Sequence, residues 1–200
     1  MDPVRERLLH AAHEVFAAEG FRGATTRRIA EQAGVNEVTL FRHFASKEAL
    51  LGAAIESESV AAIDRLKAFH LPAEPEEPHA ELTRYLSGVL AGFSASNRAV
   101  RTSLAEWGHH PEFNPHLRGP SEHIADAVEG YLRAAQERGL IRTDVLVPVA
   151  AQALLATVFS HGLQQEMAPE RFPLGLHESV SAYVAIVLTG LIPRTKGDRE

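Results

Sequence analysis

Two groups of residues in this 200-residue chain have side chains of the kinds that bind metals or nucleic acids. The first group holds three histidines and two acids near the middle of the chain: His109, His110, His116, Glu106 and Glu112. Imidazole and carboxylate are metal ligands, so one alternative is a helical metal-dependent hydrolase. However, the spacing fits no HExxH pattern, and histidine is common at helix ends. We therefore expect no metal site, no catalytic residue and no cofactor.

The second group lies within Thr25–Lys47, TTRRIAEQAGVNEVTLFRHFASK, and has the pattern of a helix-turn-helix. Two short helices are predicted, over 26–33 and 37–44. Gly34 stands between them, where a tight turn needs the left-handed conformation that glycine adopts without strain. Asn36 is placed to cap the second helix.

The packed side of the second helix determines which residues it presents to a partner. Leu40 and Phe44 are one turn apart and are expected to be buried, so at about 100° per residue Val38 and Arg42 point directly outward. The flanks carry Thr39, Phe41 and His43. A guanidinium, a hydroxyl, an imidazole and apolar groups suit the major groove of DNA, where bases present acceptors and thymine methyls.

Residues suited to phosphate contacts bracket this helix, at a helix start and just after the helix end: Thr26, Arg27, Arg28 and Lys47. Glu37 is the exception, because an acid near phosphates is unfavourable. It either interacts favourably with the helix dipole or accepts a hydrogen bond from a cytosine amino group. The predicted DNA-binding residues are Thr26, Arg27, Arg28, Asn36, Glu37, Val38, Thr39, Phe41, Arg42, His43 and Lys47.

The segment resembles the DNA-binding domain of the TetR family of transcriptional regulators. The matching residues lie within 4–55 and are Thr26-Arg27, Ile29-Ala30, Ala33-Gly34-Val35, Asn36, Thr39-Leu40-Phe41, His43-Phe44 and Ser46-Lys47-Glu48-Ala49-Leu50. Phe41 stands where the family often has tyrosine, so one hydroxyl contact to phosphate is absent. The resemblance implies a three-helix DNA-binding domain over 1–47 and an effector-binding and dimerisation domain over 48–200.

The remaining chain supports an all-α fold, because helical periodicity dominates and no alternating strand pattern is present. Hydrophobic residues are 45% and charged residues 23%, as in soluble globular proteins, and the absence of cysteine excludes disulfides and Cys-ligated zinc. The net charge of -6 gives no indication of nucleic acid by itself. About nine helices are predicted, from Val4 to Gly20 and over 26–33, 37–44, 47–69, 78–94, 97–107, 115–138, 146–166 and 176–192.

The resemblance also implies partners. In the family the last two helices, here 146–166 and 176–192, form a four-helix bundle with a second subunit, so we expect a homodimer. The middle helices are then expected to enclose an effector site, with Phe93, Trp107, His110, Phe113, His123 and Phe159 as its lining. The implied function is that of a repressor that a small lipophilic effector releases from a pseudo-palindromic DNA operator. A helical ligand-binding protein without DNA activity is the other alternative to the hydrolase.

No membrane partner is expected. Residues 145–165 carry no formal charge, but Pro148, Gln152 and His161 interrupt the apolar run, which indicates a buried helix rather than a membrane span. The N-terminal residues alternate charged with apolar side chains, unlike a signal peptide. The expected location is the cytoplasm.

Overall fold

The computed structural model describes residues 2–95, 102, 114–165 and 167–191, without the side chains of 93–95 and 114–117. These residues form eight α-helices, one short 3₁₀ helix and no strand, which confirms the all-α prediction. The helices are α1 (Pro3–Gly23), α2 (Thr26–Gln32), α3 (Glu37–His43), α4 (Lys47–Leu66), α5 (Pro78–Ala95), α6 (Asn114–Glu137), α7 (Val147–Gln164) and α8 (Leu176–Leu191), with the 3₁₀ helix at Pro169–Arg171.

The first of two compact units comprises the described residues of Met1–Asp64 and Ser96–Ser121. Its core joins one face of each of the first four helices, and its largest fully buried side chains are Leu8, Ile29, Leu40, Leu50 and Leu51. Burying such side chains stabilises the unit by about 1.5–3 kcal/mol each, before entropy is counted. The unit includes part of α4, and the assignment of DNA binding to 1–47 stays a prediction.

The turn between α2 and α3 has the geometry that the sequence predicts. Gly34 has φ +68°, and the Val35 N–H donates to the Ala30 carbonyl at 2.9 Å. The Gly34 N–H donates to the Glu31 carbonyl at 3.1 Å. This pair of bonds is a Schellman motif, which satisfies the last carbonyls of α2 and turns the chain into α3.

The second compact unit comprises the described residues of Arg65–Ala95 and Glu122–Glu200. Its core residues include Leu82, Leu86, Leu90, Val128, Leu132, Leu154, Val180 and Val184. The Tyr131 hydroxyl donates to Glu81, and burial together with this bond raises the pKa of Tyr131 above the usual tyrosine range. The backbone N–H of Arg142 donates to the carbonyl of Leu191, the last residue of α8, at 2.8 Å.

Two helices differ from their predicted bounds. The helix predicted over 47–69 ends at Leu66, because Phe69 N–H bonds the Leu66 carbonyl in a turn and Pro72 then disfavours helix at the residue before it. Gly20 interrupts α1 with φ 69° and ψ -175°, but a short helical stretch continues beyond it. The helix predicted over 97–107 lies, except for residue 102, outside the described residues. No helix among the described residues is long and apolar enough to cross a membrane.

Candidate nucleic-acid interface

The two faces of α3 are divided as the sequence predicts. Leu40 is fully buried and Phe44, just beyond the helix, is 5% exposed. Val38 is 64% exposed, Phe41 is 50% exposed, and Arg42 is exposed as well. Phe41 is therefore not a core residue. The outward face combines two large apolar side chains with one guanidinium, side-chain types that suit a DNA groove.

Asn36 caps α3. Its Oδ1 accepts from the Thr39 backbone N–H at 2.8 Å and from the Thr39 hydroxyl at 2.9 Å. The predicted capping role is confirmed, and the cap fixes the Thr39 side chain in the first turn of the helix. Contact of either side chain with DNA stays a prediction.

The cations around α3 differ in their partners. Arg27 Nε lies 3.0 Å from Glu31 Oε1, and this pair is highly exposed. Arg28 lies 2.7 Å from Glu19 Oε1. Arg42 makes no hydrogen bond or ion pair with any residue that the structure describes. Exposed ion pairs contribute about 0–1 kcal/mol, so phosphates could displace both acids at little cost.

Thr26 and Glu37 connect the beginnings of α2 and α3. The Thr26 hydroxyl donates to Glu37 Oε1 at 2.7 Å, and the Glu37 side chain is exposed. The bond occupies the single proton of that hydroxyl. In this arrangement Thr26 has only lone pairs left to offer, and lone pairs repel a phosphate oxygen.

Lys47 and His43 are engaged within the same unit. The Lys47 ammonium donates to the Phe21 carbonyl, and its Nζ lies 4.1 Å from the centroid of the Phe21 ring. His43 Nδ1 lies 3.5 Å from Asp2 Oδ2. These contacts connect α3 and α4 to α1, so both residues contribute to the fold of the helix-turn-helix.

The predicted effector residues are only partly within the described structure. Trp107, His110 and Phe113 lie outside the described residues, as does the side chain of Phe93. His123 is half-buried on α6 and Phe159 is half-buried on α7. The effector assignment of all six stays a prediction.

An open cavity of about 510 Å³ in the second unit contains none of these six residues. It is lined by Ala156, Thr157, Ser160, His161, Gln164, Arg171, Phe172 and Tyr183. His161 is 2% exposed and is held at both ring nitrogens, by Tyr183 at Nδ1 and by Gln165 at Nε2, each at 2.9 Å. Because the amide oxygen of Gln165 only accepts, Nε2 donates to it, and in the neutral ring Nδ1 then accepts from the tyrosine hydroxyl. The pair of bonds satisfies a buried imidazole.

The histidine group that suggested a metal falls outside the described part of the chain. His109 and His110 lie there, as do Glu106, Glu112 and the His116 side chain. Among the residues that are described, no three histidine or acidic side chains converge as metal ligands would.

Several contacts at the candidate interface and around the cavity have no signal in the sequence. Glu19 pairs with Arg28, and Phe21 binds Lys47 across 26 residues. Arg171 and Phe172 reach the cavity from a segment that the sequence marks only as a break. Tertiary packing brings these residues together, and neither helical periodicity nor the spacing of residues along the chain indicates these contacts.

Two family models match most of the chain. Residues 8–54 match the model described as bacterial regulatory proteins of the tetR family. Residues 77–193 match the model described as the C-terminal domain of SbtR-like transcriptional regulators. The first match contains all of α2 and α3, and the second contains α5 to α8.

Individual proteins and solved structures are also similar to this chain. The HTH-type transcriptional regulator UidR of Escherichia coli K12 is 29% identical over 157 residues, 76% of each chain. The nucleoid occlusion factor SlmA of Vibrio vulnificus is 30% identical over 154 residues, again 76% of each chain. Among solved structures, the regulator FadR of Bacillus subtilis in complex with stearoyl-CoA has a TM-score of 0.68 and 19% identity, covering 92% of this chain and 98% of that one. This last likeness concerns the fold.

Proposed function

Because the chain belongs to the TetR family of transcriptional regulators and is a ligand-responsive DNA-binding protein, we propose that it is a homodimeric repressor released from its operator by a small lipophilic molecule. The observation that carries the proposal is the outward face of α3. Val38 and Phe41 are exposed there beside an Arg42 that pairs with no described residue. Such a face is suited to a major groove.

Arg42 is the residue we assign to base recognition. Its guanidinium is exposed, so its fork can donate to both acceptors of a guanine without first breaking an internal ion pair. Arg27 and Arg28 are assigned to phosphates, because their acid partners are exchangeable and their side chains are 80% and 61% exposed. Phosphate contacts fix the register of the protein on DNA, and base contacts determine the sequence.

Dimerisation is assigned to α7 and α8. Large apolar side chains are exposed in or beside these helices, namely Leu146, Val149 and Ile186. Exposed apolar surface of this kind is typical of a face that a partner covers. A symmetric dimer presents two copies of α3, so the operator is expected to be an inverted repeat with half-sites about 34–36 Å apart, or a multiple of that.

The effector is assigned to residues 77–193, which match the C-terminal family model. One relative by fold, FadR of Bacillus subtilis, was solved in complex with stearoyl-CoA, which favours a lipophilic molecule here too. We expect Phe93, Trp107, His110, Phe113, His123 and Phe159 to line the site. Binding would favour a dimer whose two α3 helices no longer match the operator, with a coupling of about 1–3 kcal/mol. The protein would act in the cytoplasm and catalyse no reaction.

Selection of DNA from a random pool tests this function. We expect an enriched inverted repeat, held in a salt-sensitive manner by two chains. The fluorescence of Trp107, the single tryptophan, should respond to any compound that releases this DNA. If no sequence is enriched and DNA does not retain the protein even at low salt, the chain is a ligand-binding protein without DNA activity and the proposal is wrong.

A further inference from the structure

The exposed carboxylate of Glu37 lies at the start of the helix that we assign to the DNA groove. Glu37 is the first residue of α3, and its Oε1 accepts from the Thr26 hydroxyl at 2.7 Å. Its second oxygen has no partner among the described residues. The two cations that follow Thr26 in α2 pair with other acids, Arg27 with Glu31 and Arg28 with Glu19. A negative charge therefore lies at the N-terminus of α3.

This carboxylate disfavours most DNA sequences. It repels phosphates, and in the major groove it also faces the acceptor atoms of guanine and thymine. Adenine presents an amino group, but its N7 acceptor lies beside that group and opposes a second oxygen. Cytosine presents the N4 donor and no acceptor of its own in the major groove, so among the four bases a carboxylate is best matched by cytosine.

We propose that Glu37 is a specificity-determining residue that accepts a hydrogen bond from a cytosine amino group in each half-site. Thr26 is a positioning residue that holds Oε1 and leaves the second oxygen to the base. The inference rests on the proposed DNA-binding function and specifies one base that the protein recognises in each half-site. The negative charge of Glu37 lowers the affinity for every DNA sequence. The hydrogen bond from cytosine offsets this loss only in a sequence with cytosine at the right position, so the repulsion increases specificity.

The hydrogen bond to Thr26 is essential to this assignment. A free glutamate side chain has several rotatable bonds and would lose conformational entropy on meeting a base. The Thr26 hydroxyl removes part of that freedom before DNA binds. Because its proton already points at Glu37, Thr26 is not expected to donate to phosphate in the complex.

The experiment compares four full-length proteins, namely wild type, Glu37→Gln, Thr26→Val and Thr26→Ser. Each is bound, by fluorescence anisotropy, to the operator that the wild type selects, to every single-base variant of one half-site and to an unrelated duplex. Helical content by circular dichroism verifies that each variant is folded. Glu37→Ala serves as a second variant that removes the carboxylate without introducing an amide.

The wild type should prefer cytosine at one half-site position by about tenfold over the other bases. Glu37→Gln should lose that preference or shift it to adenine, which glutamine recognises, and should bind the unrelated duplex several-fold more tightly. Thr26→Val should weaken the cytosine preference and leave affinity for the unrelated duplex unchanged. Thr26→Ser, which keeps the hydroxyl, should behave as the wild type.

Two results would overturn the inference alone. One is an unchanged base preference in Glu37→Gln and Glu37→Ala on an operator that the wild type binds well. The other is a Thr26→Val protein that binds all sequences more weakly with its cytosine preference intact, because Thr26 would then contact phosphate. If the wild type selects no operator, the proposed function fails and this inference fails with it.

Discussion

Removing the charge of Lys47 should destabilise the helix-turn-helix as well as weaken DNA binding. Lys47 begins α4, and its ammonium donates to the Phe21 carbonyl while lying 4.1 Å from the Phe21 ring centroid. The side chain is half-buried, so this contact is screened less than a surface ion pair. Lys47→Met keeps the aliphatic stem and removes both interactions.

The expected loss of unfolding free energy is about 2 kcal/mol. A hydrogen bond from a charged donor contributes about 1.5–3 kcal/mol, and a cation over an aromatic face contributes about 0.5–2 kcal/mol. The two share one ammonium and are not additive, and the methionine stem recovers some apolar contact, so the lower part of the summed range is appropriate.

Arg27→Met is the matched control. It also removes one cation from the predicted interface, but Arg27 is 80% exposed and paired only with Glu31 one turn away. Its loss should lower the unfolding free energy by less than about 0.5 kcal/mol. Urea denaturation followed by circular dichroism compares the two. In operator binding, both variants should reduce the slope of log affinity against log salt by about 1 for each phosphate that the protein no longer neutralises.

The two measurements test the structural role and the DNA-binding role of Lys47 separately. Equal stability of Lys47→Met and Arg27→Met would show that the Phe21 contact adds nothing to the fold. A salt slope that changes in Arg27→Met but not in Lys47→Met would show that Lys47 belongs to the fold alone and contacts no phosphate.

Two other predictions use matched pairs from the two units. Gly34 and Gly139 have φ +68° and +73° in the same Schellman geometry, with no atom closer than 3.7 Å to an added Cβ. Replacing either by alanine should cost about 1–2 kcal/mol of stability in urea, and only Gly34→Ala should also weaken operator binding. Ile186→Glu should convert a dimer of roughly twice 21.8 kDa into monomers by light scattering, whereas Val60→Glu, at an exposed position of α4, should not. A wild-type monomer at micromolar concentration, or a dimeric Ile186→Glu, would contradict the assigned interface.

The elements of the helix-turn-helix are predictable because their determinants are local. Gly34 determines the turn through its own φ, Asn36 caps the residues that follow it, and Leu40 with Phe44 defines a face through helical period alone. Each of these needs only a few neighbouring residues, so a short stretch of sequence is enough to predict it.

The hydrogen-bond partners of the residues in the candidate DNA interface are not predictable in the same way. That Thr26 donates to Glu37, and that Phe21 holds Lys47, depends on how separate helices pack. The residue type of Thr26 predicts a hydrogen bond to phosphate, but its hydroxyl proton is already donated to Glu37, eleven positions along the chain. The helical pattern also fails to predict the end of α4 at Leu66, since apolar residues continue that pattern beyond the point where the chain turns.

Arg42 offers the sharpest test of whether the outward face of α3 recognises bases. Arg42→Ala should be measured against every single-base variant of one half-site of the selected operator. Because Arg42 is exposed and pairs with no described residue, the substitution should leave stability unchanged. We expect a loss of about 1–3 kcal/mol in binding and a relaxed preference at one position in each half-site. A uniform loss at every position, with all base preferences intact, would instead reduce Arg42 to a phosphate contact and refute base recognition by this residue.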